Sequence, residues 1–234
     1  MIKNMVNKAF DVVLLFSLFV ILTGCLPGNA DYSNIIGYPE VAEAKKLYEE
    51  LDSGHFYMID NTSGRITEEF TFKYRDDGQL TYLYKGTDGD NVYFEYHNGS
   101  EINYKKSAAD EWKFVSKGDP DYYSYSRKDK HPYTVSGVIS VNAYAVTESD
   151  VQDTENGGKK VSFKYNAEYL ASSLSELGEL KSFESSVWLN KDGYCYRLDQ
   201  KGIFEKDGEF ISDFSMYIDM MNEVESVERD ANAA

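Results

Sequence analysis

The sequence predicts a mainly β protein of the α+β type: a single antiparallel sheet, long enough that it must curve strongly, with about two helices. Three observations carry that expectation. Apolar and polar residues alternate with a period of two through most of the chain. Asp-Gly and Asn-Gly dipeptides stand between successive alternating runs, where hairpin turns need positive φ angles. Only two stretches carry apolar residues at helical spacing.

The first segment is an address rather than part of the fold. Lys3 and Lys8 give a positive flank, Val12 to Leu22 an apolar run of eleven residues, and Thr23 and Gly24 the small residues that follow. This is the layout of a secretory signal. A membrane-spanning helix needs about 20 apolar residues, and Asp11 ends the run on its N-terminal side because a carboxylate at bilayer depth is costly. Leu22, Thr23, Gly24 and Cys25 resemble the lipobox of bacterial lipoproteins. That resemblance implies cleavage between Gly24 and Cys25 and a diacylglyceryl thioether, with palmitate-type chains, on the sulfur of Cys25 as the new N-terminus. The protein would then sit lipid-anchored on the outer, extracytoplasmic face of a bacterial cell membrane. Two acyl chains suffice: burial contributes about 0.8 kcal/mol per CH₂, so one chain is marginal and two hold.

The layout that follows is a signal over residues 1–24, a lipidated tether over 25–38, one β-rich domain over 39–222 and an acidic C-terminal tail over 223–234, expected to fray. The tether carries Pro, Gly, Asn and Ser without pattern, and a dozen such residues hold a domain roughly 20 Å from its anchor. Pro39 opens the first helix, with Val41, Ala44, Leu47, Tyr48 and Leu51 on one side and Gly54 as its expected stop. The second helix places Tyr169, Leu170, Leu174 and Leu177 together before Gly178.

Between them runs a meander from His55 to Ser116. Phe70, Phe72 and Tyr74 share one parity, as do Tyr82 and Tyr84, then Val92, Phe94 and Tyr96, then Ile102 and Tyr104, then Trp112 and Phe114. Asp77-Gly78, Asp88-Gly89 and Asn98-Gly99 separate the runs. The alternation resumes at Val161, Phe163 and Tyr165, and again around Asp192-Gly193 and Asp207-Gly208.

The formal charge of −16 excludes a nucleic-acid partner, since such a surface repels a phosphate backbone. With Cys25 lipidated, Cys195 is left unpaired and reads as a small apolar core residue. His55, His97 and His131 are scattered, without metal-ligand spacing, and His97 reads as a solvated surface residue beside a turn. No catalytic residue, cofactor or metal is assigned, and the chain is not read as an enzyme.

The amphipathic helix followed by a long aromatic meander, with "YFEYHNGSEINYKKSAADEWKFV" at its centre, resembles the LolA-like and LppX-like exported proteins. The resemblance implies a strongly curved sheet or incomplete barrel closed on its concave side by helices, with acyl chains or lipids bound in the hollow. Read this way, Phe70, Phe72, Tyr82, Tyr84, Phe94, Tyr96 and Trp112 line a hollow for a lipid or other apolar small molecule. The alternative is an adhesion or scaffold module that binds a glycan or envelope protein through Tyr122, Tyr123 and Tyr125 of the irregular stretch 117–133.

Overall fold

The computed structural model describes residues 32–89, 91–174, 178–205 and 208–229; the signal, Gly24, Cys25, Leu177, Asp207 and Asp230 lie outside the described residues. Helix α1 spans Tyr38–Glu49, with Pro39 in its first turn and Val41, Ala44 and Tyr48 buried. Its N-cap, Gly37, has φ +79°, and a Cβ there would stand 2.4 Å from a methyl of Val161. Only glycine tolerates both the left-handed backbone and that approach. The helix stops at Glu49, so Gly54 is not its cap. Gly54 belongs to β1, where a Cβ would lie 3.0 Å from the Phe72 ring.

The strands are β1 Ser53–Asp60, β2 Arg65–Tyr74, β3 Leu80–Asp88, β4 Asn91–His97, β5 Glu101–Lys105, β6 Lys113–Ser116, β7 Val146–Asp153, β8 Lys159–Tyr165, β9 Glu179–Leu189, β10 Cys195–Glu205 and β11 Glu209–Asp219. Helix α2, Ala167–Leu174, lies between β8 and β9. The turn at Asn98-Gly99 shows how the dipeptides work. Gly99 takes φ +86°, while Asn98 Oδ1 accepts the backbone N–H groups of Ser100 and Glu101, both at 3.0 Å.

All eleven strands form one antiparallel sheet in the order β6-β5-β4-β3-β2-β1-β11-β10-β9-β8-β7. The sheet is not closed: β6 and β7 are its edges, and the first and last strands meet at its centre. Two meanders, β1–β6 and β7–β11, are thereby fused into one. The chain between β6 and β7 must therefore travel from one edge to the other, roughly 50 Å if the sheet were flat. It does so as a strap across the inner face, through short 3₁₀ turns at Pro132–Thr134, Ser136–Val138 and Ala143–Ala145, burying Tyr133, Val138, Ile139 and Val141.

In the C-terminal half, the inner parity is mainly apolar and the outer mainly polar, with Ser185 and Gln200 as polar residues of the inner face. Val161, Phe163 and Tyr165 of β8, Phe183, Val187 and Leu189 of β9 and Leu198 of β10 are buried beneath α1 and α2. Strand β7 was not legible in the sequence: "VTESDVQD" is an edge strand that is only partly buried, with Val146 and Val151 packed against the core and polar residues between them. Cys195 is a buried free thiol, and burial pushes its pKa up to about 12, so it is an inert core residue.

The C-terminal segment does not fray after Glu223. Residues 222–229 turn back over the outer face of the N-terminal half. Asn222 Oδ1 accepts from the Asp52 N–H at 2.7 Å, Lys73 Nζ donates to the Glu225 carbonyl at 2.7 Å, and Val224 and Val227 are buried. Among the described residues, no helix is long and apolar enough to cross a membrane.

Candidate functional site

Strand register decides which face each predicted lining residue occupies, because residues paired across antiparallel strands share a face. Phe56 pairs with Phe70, Phe72 with Tyr82 and Phe70 with Tyr84, so Phe70, Phe72, Tyr82 and Tyr84 stand on the inner face. Tyr82 pairs with His97 and Tyr84 with Glu95, which makes Tyr93, Glu95 and His97 the inner parity of β4. Phe94 and Tyr96 are therefore on the outer face. Trp112 joins them there, just ahead of β6, with its ring 6.1 Å from that of Phe94. The expected set of seven is divided between two faces and cannot line one hollow.

Two further expectations fail, one on β4 and one on β6. His97 is fully buried rather than solvated: its ring stacks on Tyr82 at 5.5 Å, and it hydrogen-bonds the Tyr123 carbonyl at 2.8 Å. Phe114 is 68% exposed, so the half-buried face assigned to it does not exist. The outer aromatics are covered instead by side chains from elsewhere. Lys105 Nζ lies 4.8 Å from the Phe94 ring centre, and the Arg229 guanidinium 5.6 Å from that of Trp112.

The inner aromatics are not open to solvent. Phe70 and Tyr82 are 0% exposed. His131 lies 4.8 Å from each ring, and Tyr133 meets Phe70 edge-on at 5.0 Å. The three loop tyrosines are part of this cover. The Tyr122 hydroxyl donates to the Gly99 carbonyl at 3.0 Å, the Tyr123 hydroxyl to Glu95 at 2.7 Å, and the Tyr125 ring packs edge-on to His131 at 4.6 Å. What looked like an irregular loop is a strap held to the sheet by its own aromatics.

Polar groups under the strap give the site its chemistry. Glu95 accepts the hydroxyls of Tyr82, Tyr93 and Tyr123. Glu68, missed in the sequence among forty acids, is 1% exposed on the inner face of β2. Its Oε2 accepts the Tyr133 hydroxyl at 2.8 Å, while its Oε1 has no partner. Burial raises the Glu68 pKa to about 7, the Tyr133 hydrogen bond opposing the shift. Burial, aided by His97, takes His131 down to about 3, so it is neutral.

A second orphan lies on β10. Gln200 is 4% exposed, and its Nε2 donor is unpartnered. Glu68 and Gln200 both face inward, three strands apart, with Met58, Met216 and Phe214 between them on the same face. Strand spacing puts them roughly 15 Å apart. Among the described residues, no group of three or more His, Cys, Asp or Glu could hold a metal ion.

No family model matches the chain and no curated protein matches it. Among solved structures, the chain is similar to the Mycobacterium tuberculosis lipoprotein LppX, with a TM-score of 0.47 and 16% identity over 81% of this chain and 97% of that one. A second likeness, to MucB in complex with MucA, has a TM-score of 0.17 and 9% identity over 78% of this chain and 94% of the other.

Proposed function

We propose that the chain is a membrane-tethered, extracytoplasmic, non-enzymatic carrier or sensor that takes an amphiphile between the inner face of the sheet and the strap. The observation that carries this reading is the pair of orphaned polar atoms. A buried donor or acceptor left without a partner costs about 1–3 kcal/mol, and each one in a native fold calls for an explanation. A ligand with polar groups at Glu68 and Gln200 and an apolar stretch over Met58, Met216 and Phe214 satisfies both. Methionine suits that role because its unbranched side chain repacks around different shapes.

The strap is the part that yields. It is built of three-residue 3₁₀ turns rather than long ladders, the kind of element that opens at low free-energy cost. The tether supports the same reading: a diacylglyceryl group on Cys25 keeps the site within reach of lipid. The adhesion alternative is less well supported, because Tyr122, Tyr123 and Tyr125 are engaged with the sheet.

Extraction of the purified mature protein with organic solvent, followed by mass measurement of what is released, tests the reading directly. A fluorescent fatty-acid analogue should bind the delipidated protein. Glu68→Ala and Gln200→Ala should each weaken it several-fold, while Phe94→Ala on the outer face should not. Absence of probe binding, or equal loss in the outer-face variant, would rule the carrier out. Metabolic labelling with a fatty acid tests the anchor, and Cys25→Ser should abolish the label.

A further inference from the structure

The outer face of the C-terminal half carries a groove of about 420 Å³ whose lining meets the carrier reading only at Gln200, a residue that shares the inner parity of β10. Its volume falls in the range of about 300–1,000 Å³ common for small-molecule sites. Three cross-strand rows build it. One wall alternates in sign from β7 to β11, through Glu148, Lys164, Glu184, Lys201 and Asp213. The floor is low and polar, formed by Ser162, Ser186, Asp199 and Ser215 on four neighbouring strands. The opposite wall is formed by the cations Lys160 and Arg197, which are backed by rings that stand outside the lining. Lys160 Nζ and the Arg197 guanidinium lie 4.9 and 5.2 Å from the Trp188 ring, Arg197 also lies 5.2 Å from Tyr217, and Tyr217 stacks on Tyr57 at 5.1 Å.

These rows are held rigid by Asp199. It accepts from Trp188 Nε1 at 2.8 Å, from Arg197 Nε at 2.7 Å and from the Ser215 hydroxyl at 2.7 Å. The Ser162 and Ser186 hydroxyls meet at 3.1 Å. A site of this kind is preorganised, so ordering it costs a ligand little.

We propose that the groove binds a segment of a neutral, polyhydroxylated glycan. Charge sign changes from one strand to the next, about 4.8 Å apart, so a polyanion or polycation would meet its own sign at every second strand. A sugar hydroxyl both donates and accepts, and can bridge an ammonium to the neighbouring carboxylate. The serine floor lets a pyranose ring lie close to the sheet. Lys160 and Arg197, each held against the Trp188 ring, close the groove on the other side with fixed donors for further hydroxyls. This inference is independent of the carrier reading, whose ligand lies on the other face.

The protein has two tryptophans, one on each half of the outer face, so Trp112→Phe leaves Trp188, which packs behind the lining residues Lys160 and Arg197, as the sole indole reporter. The mature protein carrying that change is titrated with isomaltohexaose, maltohexaose, chitohexaose and, as a charged control, polyphosphate. The expected result is a saturable change in Trp188 emission with at least one neutral oligosaccharide and none with polyphosphate. Ser186→Leu, which fills the floor, should weaken binding about tenfold. Glu184→Ala on the exposed wall, where folding is not at stake, should weaken it about threefold. No response to any of the three neutral oligosaccharides, an equal response to polyphosphate, or unchanged affinity in Glu184→Ala overturns the proposal.

Discussion

The two halves of the sheet solve the same burial problem differently. In β7–β11 one face is apolar beneath two helices and the other is a hydrated lattice of serines and alternating charges. In the other half, β4 carries aromatic rings on both faces and both are covered, the inner one by the strap and the outer one by the C-terminal segment and by lysine and arginine side chains. A one-sided sheet writes its orientation into its own alternation. A two-sided one does not, because each parity of a strand such as β4 has the composition of a core.

Four outcomes would break or sharpen that contrast. The largest effect belongs to the doubly covered half: Phe70→Ala should cost about 3–5 kcal/mol in urea unfolding, because the ring is fully enclosed and its removal leaves a cavity. A loss below about 1 kcal/mol would mean that the strap does not cover this face in solution. Phe114→Ala, on an exposed ring of the same half, is the paired control and should stay within about 0.5 kcal/mol.

Next comes pH. The carboxyl of Glu68 titrates higher in the folded chain, about 7, than in the unfolded one, near 4.5, so the native state holds the proton more tightly. The stability of the protein relative to its Glu68→Gln variant should therefore be greatest below pH 4.5, fall as pH rises toward 7, and level off above it. The total change is about 3 kcal/mol. A pH-independent difference would show that the carboxyl is not sealed under the strap. His131, shifted down to about 3, acts in the opposite sense in both proteins and cancels in the comparison.

Removing residues 224–234 uncovers Phe94, Tyr96 and Trp112 on the outer face. The loss of two buried valines predicts about 2 kcal/mol lower stability, with red-shifted Trp112 emission. Unchanged emission would show that this segment does not cover the outer aromatics. The smallest effect lies across the centre of the sheet. Glu148→Ala breaks the exposed 2.7 Å pair with Lys164 and should leave the unfolding midpoint unmoved, since solvated ion pairs contribute little.

Much of the architecture was legible in the residues alone. Period-two alternation with Asp-Gly and Asn-Gly punctuation specifies an antiparallel meander, because side chains on a strand must point alternately and tight hairpins need φ > 0. Helical spacing after Pro39 and before Gly178 specifies the two helices. These are local constraints, satisfied within a few residues of where they are written. The site is different in kind. That β1 pairs with β11, that the 117–145 stretch must therefore cross the inner face, and that His97 faces inward while Phe94 faces outward all depend on register between segments far apart in sequence. Glu68 could not be told from thirty-nine other acids, because its burial comes from Tyr133, sixty-five residues away. Local chemistry determined the elements. Only tertiary packing decided which side of each strand was dry and which polar atoms were left without partners.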